Sequence, residues 1–210
     1  MDINGEPFIF HQLRWLKSQG ASKAVLCVGH MGAAIEKSVG SGRDLGIEVN
    51  YSYDGPALLG TAGALKKAQA LLSQEFFVLY GDSYLPCPLA PVLAAFRAAA
   101  KPALMTVFKN DNRWGASNVE YARGRILKYA KENRAPEMRH IDYGLGVFKK
   151  EVLNRVPDES FDLAKLYQQL LGAGELASFE ATERFYEIGS PEGLEETRRY
   201  LKEHPIGRQP

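Results

Sequence analysis

Five consecutive apolar residues, Phe76-Phe77-Val78-Leu79-Tyr80, end abruptly at Gly81-Asp82. An uninterrupted apolar run of this length suits a central strand covered on both faces. Such strands belong to α/β sheets, and an open α/β sheet binds ligands beyond the carboxyl ends of its strands. Asp82 stands at that position. Gly81 lets the chain turn close to a ligand, and the Asp82 carboxylate can serve a hard metal ion. Gly-Asp after a strand is also an ordinary turn, so the stretch alone leaves both readings open.

The flanking sequence supplies the rest of such a sheet. Residues 7–19 read as a helix, with Pro7 at its first position and Ile9, Leu13 and Leu16 on one face. A short strand at 23–28 and a weaker helix at 30–39 follow. Ile47, Val49 and Tyr51 alternate as in a half-exposed strand. Thr61 opens a helix with Leu65, Ala68 and Leu72 on one face, and another helix lies near 91–100. Strand and helix in alternation require crossover connections and a largely parallel sheet. From residue 103 the pattern changes to strand 103–108, a hairpin of 118–121 and 125–129, and strand 141–148. Gly144 and Gly146 let another backbone or side chain approach that last strand closely. A helix at 163–171 and short strands at 176–179 and 185–188 lead to a final helix capped by Ser190, and 204–210 reads as a frayed tail. No repeat or linker interrupts the 210 residues, which suits one domain.

Charge narrows the function classes. A net charge of +1 argues against a dedicated nucleic-acid binder or a membrane-surface protein. Cys27 lies in a strand-like run and reads as a buried apolar residue, whereas Cys87 lies in a loop between Pro86 and Pro88. Two such cysteines make no disulfide framework. They fit a reducing cytoplasm, as does an N-terminal sequence without a signal-peptide pattern.

Four further constellations carry polar groups that chemistry can use. In LLGTAGAL (58–65), Gly60, Thr61 and Gly63 sit where a loop becomes a helix. Free N–H groups and the helix dipole favour anions there, and the competing reading is a helix capped by Thr61. No Gly-Lys-Ser/Thr follows, so this is not a Walker loop. In FYEIGSPEGL (185–194), Glu187 either favours the positive end of the next helix or, if near Asp82, shares a magnesium ion with it. In HIDYGLGVF (140–148), Asp142 and Tyr143 flank a glycine-punctuated strand, with a core-edge aromatic the competing reading for Tyr143. In RWGASNVEY (113–121), Gly115 and Asn118 can present a backbone and an amide to a sugar, or form a plain turn. The four histidines show no metal-ligand spacing.

Taken in this order, the segments 3–20, 25–32, 47–54, 58–65, 76–84, 141–148 and 185–194 resemble the sugar-phosphate nucleotidyltransferases, or nucleotide-sugar pyrophosphorylases. IDYGLGVF and YEIGSPEGL look most like the branch acting on heptose or mannose 1-phosphate with GTP. The resemblance implies a Rossmann-like three-layer α/β/α fold with a mixed, mainly parallel central sheet. It also implies attack of a sugar-1-phosphate oxygen on the α-phosphorus of a nucleoside triphosphate, with release of pyrophosphate. By position, Asp82 and Glu187 would be catalytic and hold Mg2+. Gly60, Thr61, Ala62 and Gly63 would line the nucleotide, and Gly115, Asn118, Asp142, Tyr143 and Gly144 the sugar phosphate. The partners are then the two substrates, without nucleic acid or membrane, and a homo-oligomer is compatible with this.

Two departures from the family pattern stand out. Relatives commonly carry a Glu-Lys pair before the sugar site, where this chain has Lys131-Glu132. Relatives also begin with a strand, a glycine-rich loop holding an arginine, and a Pro-Lys-Pro segment, and this chain starts with residues resembling those that follow. That first strand normally lies between 23–28 and 75–80, so these two strands are expected to pair directly or to leave a strained gap. A shortened domain of this kind raises rival readings: a non-catalytic nucleotide-sugar binding or regulatory subunit, and less favourably a metal-dependent glycosyltransferase.

Overall fold

The alternation of side chains along the strands sets up the layers. The computed structural model describes residues 1–206. In chain order its elements are β1 (Asp2–Ile3), β2 (Glu6–Pro7), α1 (Phe8–Ser18), β3 (Lys23–Val28), α2 (Gly32–Val39), β4 (Glu48–Tyr53), α3 (Gly60–Lys67), β5 (Glu75–Leu79) and β6 (Ser83–Tyr84). They continue with α4 (Leu89–Ala99), β7 (Ala103–Lys109), β8 (Val119–Ala122), β9 (Arg125–Tyr129), β10 (His140–Lys149), α5 (Leu163–Gly172), β11 (Leu176–Ala181), β12 (Tyr186–Glu187) and α6 (Pro191–Glu203). Among the described residues no helix is long and apolar enough to cross a membrane.

Six strands form the central sheet. Its path runs β11-β7-β10-β8-β9, with β5 also paired to β10. One face buries Met105, Val107 and Phe148 under α5, whose Leu163, Leu166, Tyr167 and Leu170 point inward. The other face buries Leu104, Phe108, Leu145 and Val147 under α4 and α6. Each fully buried leucine of this kind contributes roughly 1.5–3 kcal/mol relative to exposure. The three-layer arrangement follows from period-two alternation on β7 and β10 combined with helical stripes above and below.

The sheet is mixed, as expected, but antiparallel rather than parallel pairing predominates in it. Within it only β7 and β11 pair in parallel, while β10 runs antiparallel to β5, β7 and β8. Because β10 enters between strands that run the other way, it converts their neighbour contacts to antiparallel ones. β10 also explains Gly146: a Cβ there would lie 2.1 Å from the Tyr167 hydroxyl oxygen. The glycine is needed for close approach of α5 to the sheet.

The strands on either side of the apolar run behave differently from expectation. β3 pairs with β4, and β5 with β10, but β3 and β5 do not pair with each other. The hydrogen bonds fix which groups face the opening. Lys150 N–H reaches the Gln74 carbonyl, so Phe76 and Val78 face β10, and Phe77 and Leu79 turn their backbone groups away from it. Asp54 N–H reaches the Val28 carbonyl, so Ala24 and Leu26 face β4, and Val25 and Cys27 face the opening. The direct re-pairing expected from the sequence is therefore absent. Cys27 is exposed rather than buried as a residue and Cys87 is buried beneath α4, and burial comes first among the causes that push each thiol up to about 11.

Helix α1 holds the two sheets together. Leu13 packs into the β4 and α2 cluster, while Phe8 and Trp15 enter the main core. Gln12, buried between them, donates from Nε2 to the Tyr80 carbonyl at 3.2 Å and the Ser83 carbonyl at 2.8 Å. At the other end of the chain, the His204 ring stacks on Tyr200 at 4.3 Å and Ile206 packs on the core. These contacts belong to the first residues of the 204–210 tail, and 207–210 lie outside the described residues.

Two measurements check this description. Amide hydrogens of Val25, Cys27, Phe77 and Leu79 should exchange at least about tenfold faster than those of Leu26 and Val78, and equal protection would mean that the opening is covered. Gln12→Ala should lower unfolding stability by roughly 2 kcal/mol in urea titrations, about 1 for each hydrogen bond lost.

Candidate active site

The turn after β5 places Asp82 at the surface, where its Oδ1 accepts a hydrogen bond from the Ser83 hydroxyl at 3.0 Å. β6 then pairs antiparallel with β12, with Glu187 opposite Ser83. Ile188 N–H donates to the Asp82 carbonyl at 3.0 Å. Two acidic residues more than a hundred positions apart thus become near neighbours on paired strands. The Glu187 carboxylate also accepts hydrogen bonds from Gly189 N–H, Ser190 N–H and the Ser190 hydroxyl. Ser190 in turn caps α6 by accepting from Gly193 N–H at 3.0 Å. The helix-end reading of Glu187 is thus realised in the structure, and a lone pair remains beyond its three bonds.

The segment Gly60 to Gly63 is used differently from a free anion-binding terminus. Ala62 and Gly63 N–H groups both donate to the Phe161 carbonyl, at 2.9 and 3.1 Å. Thr61 does not cap α3. Its hydroxyl donates to Asp162 Oδ1 at 3.1 Å and accepts from Leu163 N–H at 2.7 Å, so it closes the start of α5 instead. Gly60 has φ +72°, and a Cβ there would lie 2.7 Å from the Phe161 oxygen. This close contact of the α3 start with residues 159–163 accounts for the glycine.

The β10 bulge gathers a second set. The register of β10 against β7 shifts between Asp142 and Gly146. Asp142 Oδ2 accepts from the Tyr129 hydroxyl, and Oδ1 from Gly144 N–H, both at 3.0 Å. Its own N–H donates to Asn118 Oδ1 at 2.9 Å. Burial pushes the Asp142 carboxyl above its ordinary pKa, against the Gly144 N–H, the Tyr129 hydroxyl and Lys131, which favour the charged form. Tyr143 points to the other face of the sheet, 1% exposed and packed near Phe108 and Phe185. Its ring is a core residue, so only its backbone borders this site. Gly115 lies apart in the preceding loop, where its carbonyl accepts from Asn110 Nδ2 at 2.8 Å.

Four residues without a site assignment from the sequence connect these groups. Lys131 Nζ lies 3.5 Å from Asp162 Oδ1 and 5.9 Å from the centre of the Tyr80 ring. Burial pushes Asp162 upward, but Ala164 N–H, Lys131 and Thr61 outweigh it and hold the carboxyl below its ordinary pKa. The Tyr80 hydroxyl is buried without a hydrogen-bond partner, and its pKa is raised by burial and then by Asp142, Asp162 and Asp82. Tyr80 therefore marks where the carboxylates converge. Of these four, Asp162 left a local signal, as an N-cap residue before the 163–171 helix, and Lys131 stands in the Lys131-Glu132 pair that occupies the place of the relatives' Glu-Lys. Tyr80 and Tyr129 join the site through tertiary contacts.

This arrangement sets several carboxylates near the end of β5 together with Lys131, which is ion-paired to Asp162. Asp82 and Glu187 offer hard oxygen donors suited to a small divalent ion, and among the described residues no cluster of three or more His, Cys, Asp or Glu side chains forms a metal site. Asp82 Oδ2 carries no hydrogen bond, and space beside Gly81 is open to 4 Å. These two residues fit an ion that takes few protein carboxylates and completes its shell with other oxygens.

Comparison with known proteins agrees with the fold. The chain is 27% identical over 198 residues to mannose-1-phosphate guanyltransferase beta-B of Xenopus laevis, covering 91% of this chain and 55% of that protein. It spans about half the length of the curated relatives it matches. A putative glucose-1-phosphate thymidylyltransferase from Bacillus anthracis superposes with TM-score 0.85 at 16% identity, covering 99% of this chain and 87% of that one. HddC from Yersinia pseudotuberculosis, complexed with GMP-PN, gives TM-score 0.79 at 19% identity, covering 96% and 88%. A family model described as nucleotidyl transferase matches residues 1–203, and the chain belongs to that family.

Proposed function

We propose that this chain carries the transfer site of a sugar-1-phosphate nucleotidyltransferase, with GTP the favoured nucleotide and mannose or heptose 1-phosphate the favoured sugar. The observation that carries the reading is the β6–β12 pairing, which sets Glu187 opposite Ser83, the residue after Asp82, beyond the carboxyl end of β5. The guanylyl preference rests on the naming of the relatives. A sugar-phosphate oxygen attacks the α-phosphorus, the bond from that phosphorus to the bridging oxygen breaks, and pyrophosphate leaves. Asp82 and Glu187 would hold magnesium, which when bound neutralises phosphate charge and orients the in-line attack.

The protein's own groups divide the remaining work. Asn118, just before β8, and Asp142 and Gly144, from the β10 bulge, present polar atoms to the sugar. Asp142 acts there as a hydroxyl acceptor, a role its ionised form fills more strongly. Ala62 and Gly63 N–H groups are already engaged, so the nucleotide meets the outer surface around Gly60 and Thr61. Lys131 supplies the positive charge that this loop does not, and its ion pair with Asp162 is exchanged for a substrate phosphate. A reducing, cytoplasmic setting belongs to the same reading and is supported by two free thiols.

The engaged N–H groups and the open edges of β3 and β5 also favour a second reading, a domain that binds nucleotide-sugar without turnover. Incubation with GTP, Mg2+ and mannose or heptose 1-phosphate, with a pyrophosphate assay, separates the two. Turnover should appear and fall at least about a hundredfold in Asp82→Asn, a loss typical of removing one group that stabilises developing charge. Nucleotide-sugar binding by calorimetry with no pyrophosphate would decide for the second reading.

Asp142 gives a pH signature independent of turnover. Its folded pKa is raised above the ordinary 3.8, so the native state holds the proton more tightly than the unfolded chain. Its contribution to stability is full below that ordinary value and is lost as pH rises through the folded value. Urea titrations from pH 3.5 upward should show this decline in the native protein and not in Asp142→Asn. Sugar-phosphate affinity should rise over the same interval. A parallel decline in both proteins would place the effect on another group.

A further inference from the structure

Two rigid pieces of the site meet without a hydrogen bond between them. The first is the loop 110–118. Asp111 and Asn112 both take positive φ, +48° and +61°, which costs energy for residues other than glycine. Internal bonds hold this shape. Fully buried Asn110 donates to the Gly115 carbonyl and accepts from Trp114 N–H at 3.1 Å, and Asn112 Oδ1 accepts from Ser117 N–H at 2.8 Å. The second piece is β12 with the start of α6, locked by the Glu187 and Ser190 bonds described above.

Arg184 spans the junction. Its guanidinium carbon lies 4.3 Å from the Trp114 ring centre and 4.5 Å from that of Tyr186. Glu196 orients it through a 2.6 Å contact to Nη2, and Nε donates to the Phe185 carbonyl at 3.2 Å. Tyr186 then stacks on Tyr200 at 4.0 Å, which ties the joint to α6. Trp114 precedes Gly115, and Tyr186 precedes Glu187, so the arginine grips each piece one residue from a candidate site residue. A flat, delocalised cation can stack on two rings while pairing in its plane with a carboxylate. Lysine can make the ion pair but cannot stack in this way.

We propose that Arg184 is a positioning residue that sets the loop 110–118, which ends at the sugar-site residue Asn118, against the strand carrying Glu187. The inference rests on the transfer-site reading above and adds to it a determinant of sugar-phosphate alignment that touches neither substrate. It has no reason to act on the nucleotide loop, which lies on α3 and contacts α5 instead.

Arg184→Lys tests this with two readouts. In steady-state assays KM for the sugar 1-phosphate should rise roughly tenfold and KM for GTP less than about threefold, while kcat falls because the strand carrying Glu187 is held less firmly. Glu196→Gln, which keeps the stacked arginine, should have a smaller effect. Hydrogen exchange provides the second readout and needs no turnover. Amides of 113–116 and 186–190 should speed up together in Arg184→Lys, while those of β7 and β10 stay protected. Equal rises in both KM values, or exchange changes confined to 183–186, would overturn the proposal. If the native chain makes no pyrophosphate, the transfer reading fails, and the exchange result alone decides whether Arg184 couples the two pieces.

Discussion

The structure depends on β10. It satisfies its backbone groups on both sides, against β5 on one edge and β7 on the other, and its first residue also pairs with β8. A strand bonded along both edges has no freedom to slip, because a one-residue shift would exchange its two buried faces. Leu145 and Val147 are then committed to the α4 and α6 side and Phe148 to the α5 side. With the register fixed, the bulge at Asp142 can aim a carboxylate into the site without loosening the sheet. Bulges commonly re-aim side chains in this way.

The other half of the fold is joined more lightly. β3 and β4 share a small cluster with α1 and α2, and α1 contributes to both that cluster and the main core. Where β3 and β5 face each other across the opening, backbone donors and acceptors on both edges remain without protein partners among the described residues. Gln12 compensates locally by holding the turn that ends in Asp82. The position of Asp82 therefore depends on a helix side chain as much as on the strand that precedes it.

Electrostatics ties the two halves to one chemistry. Asp82, Glu187, Asp142 and Asp162 concentrate negative charge around the end of β5, and Lys131 is held among them by Asp162. Under the proposed transfer reading, anionic substrates would need cations at such a surface, from Lys131 and from a metal ion on the exposed Asp82 carboxylate. The starts of α3 and α5 are fastened to each other through Phe161 and Thr61, so their N–H groups are spent on structure.

Much of this was legible in the chain itself. Period-two and helical spacing located β3, β5, β7, β10 and α5 within a residue or two, because each buries a continuous apolar face. The Gly81-Asp82 terminus and the Glu187-Ser190 helix start are local chemistry and could be read locally. Whether Cys27 is buried, whether β3 meets β5, and which way Tyr143 points depend on which strands become neighbours, and apolar pattern carries no information about partner identity. The same holds for Tyr80 and Tyr129, which are ordinary residues until tertiary packing brings their polar ends to the carboxylates. The sequence determined the elements and the acidic residues at their ends. Tertiary structure alone decided which of those residues share one dielectric environment, because pairing and burial are properties of distance in space rather than along the chain.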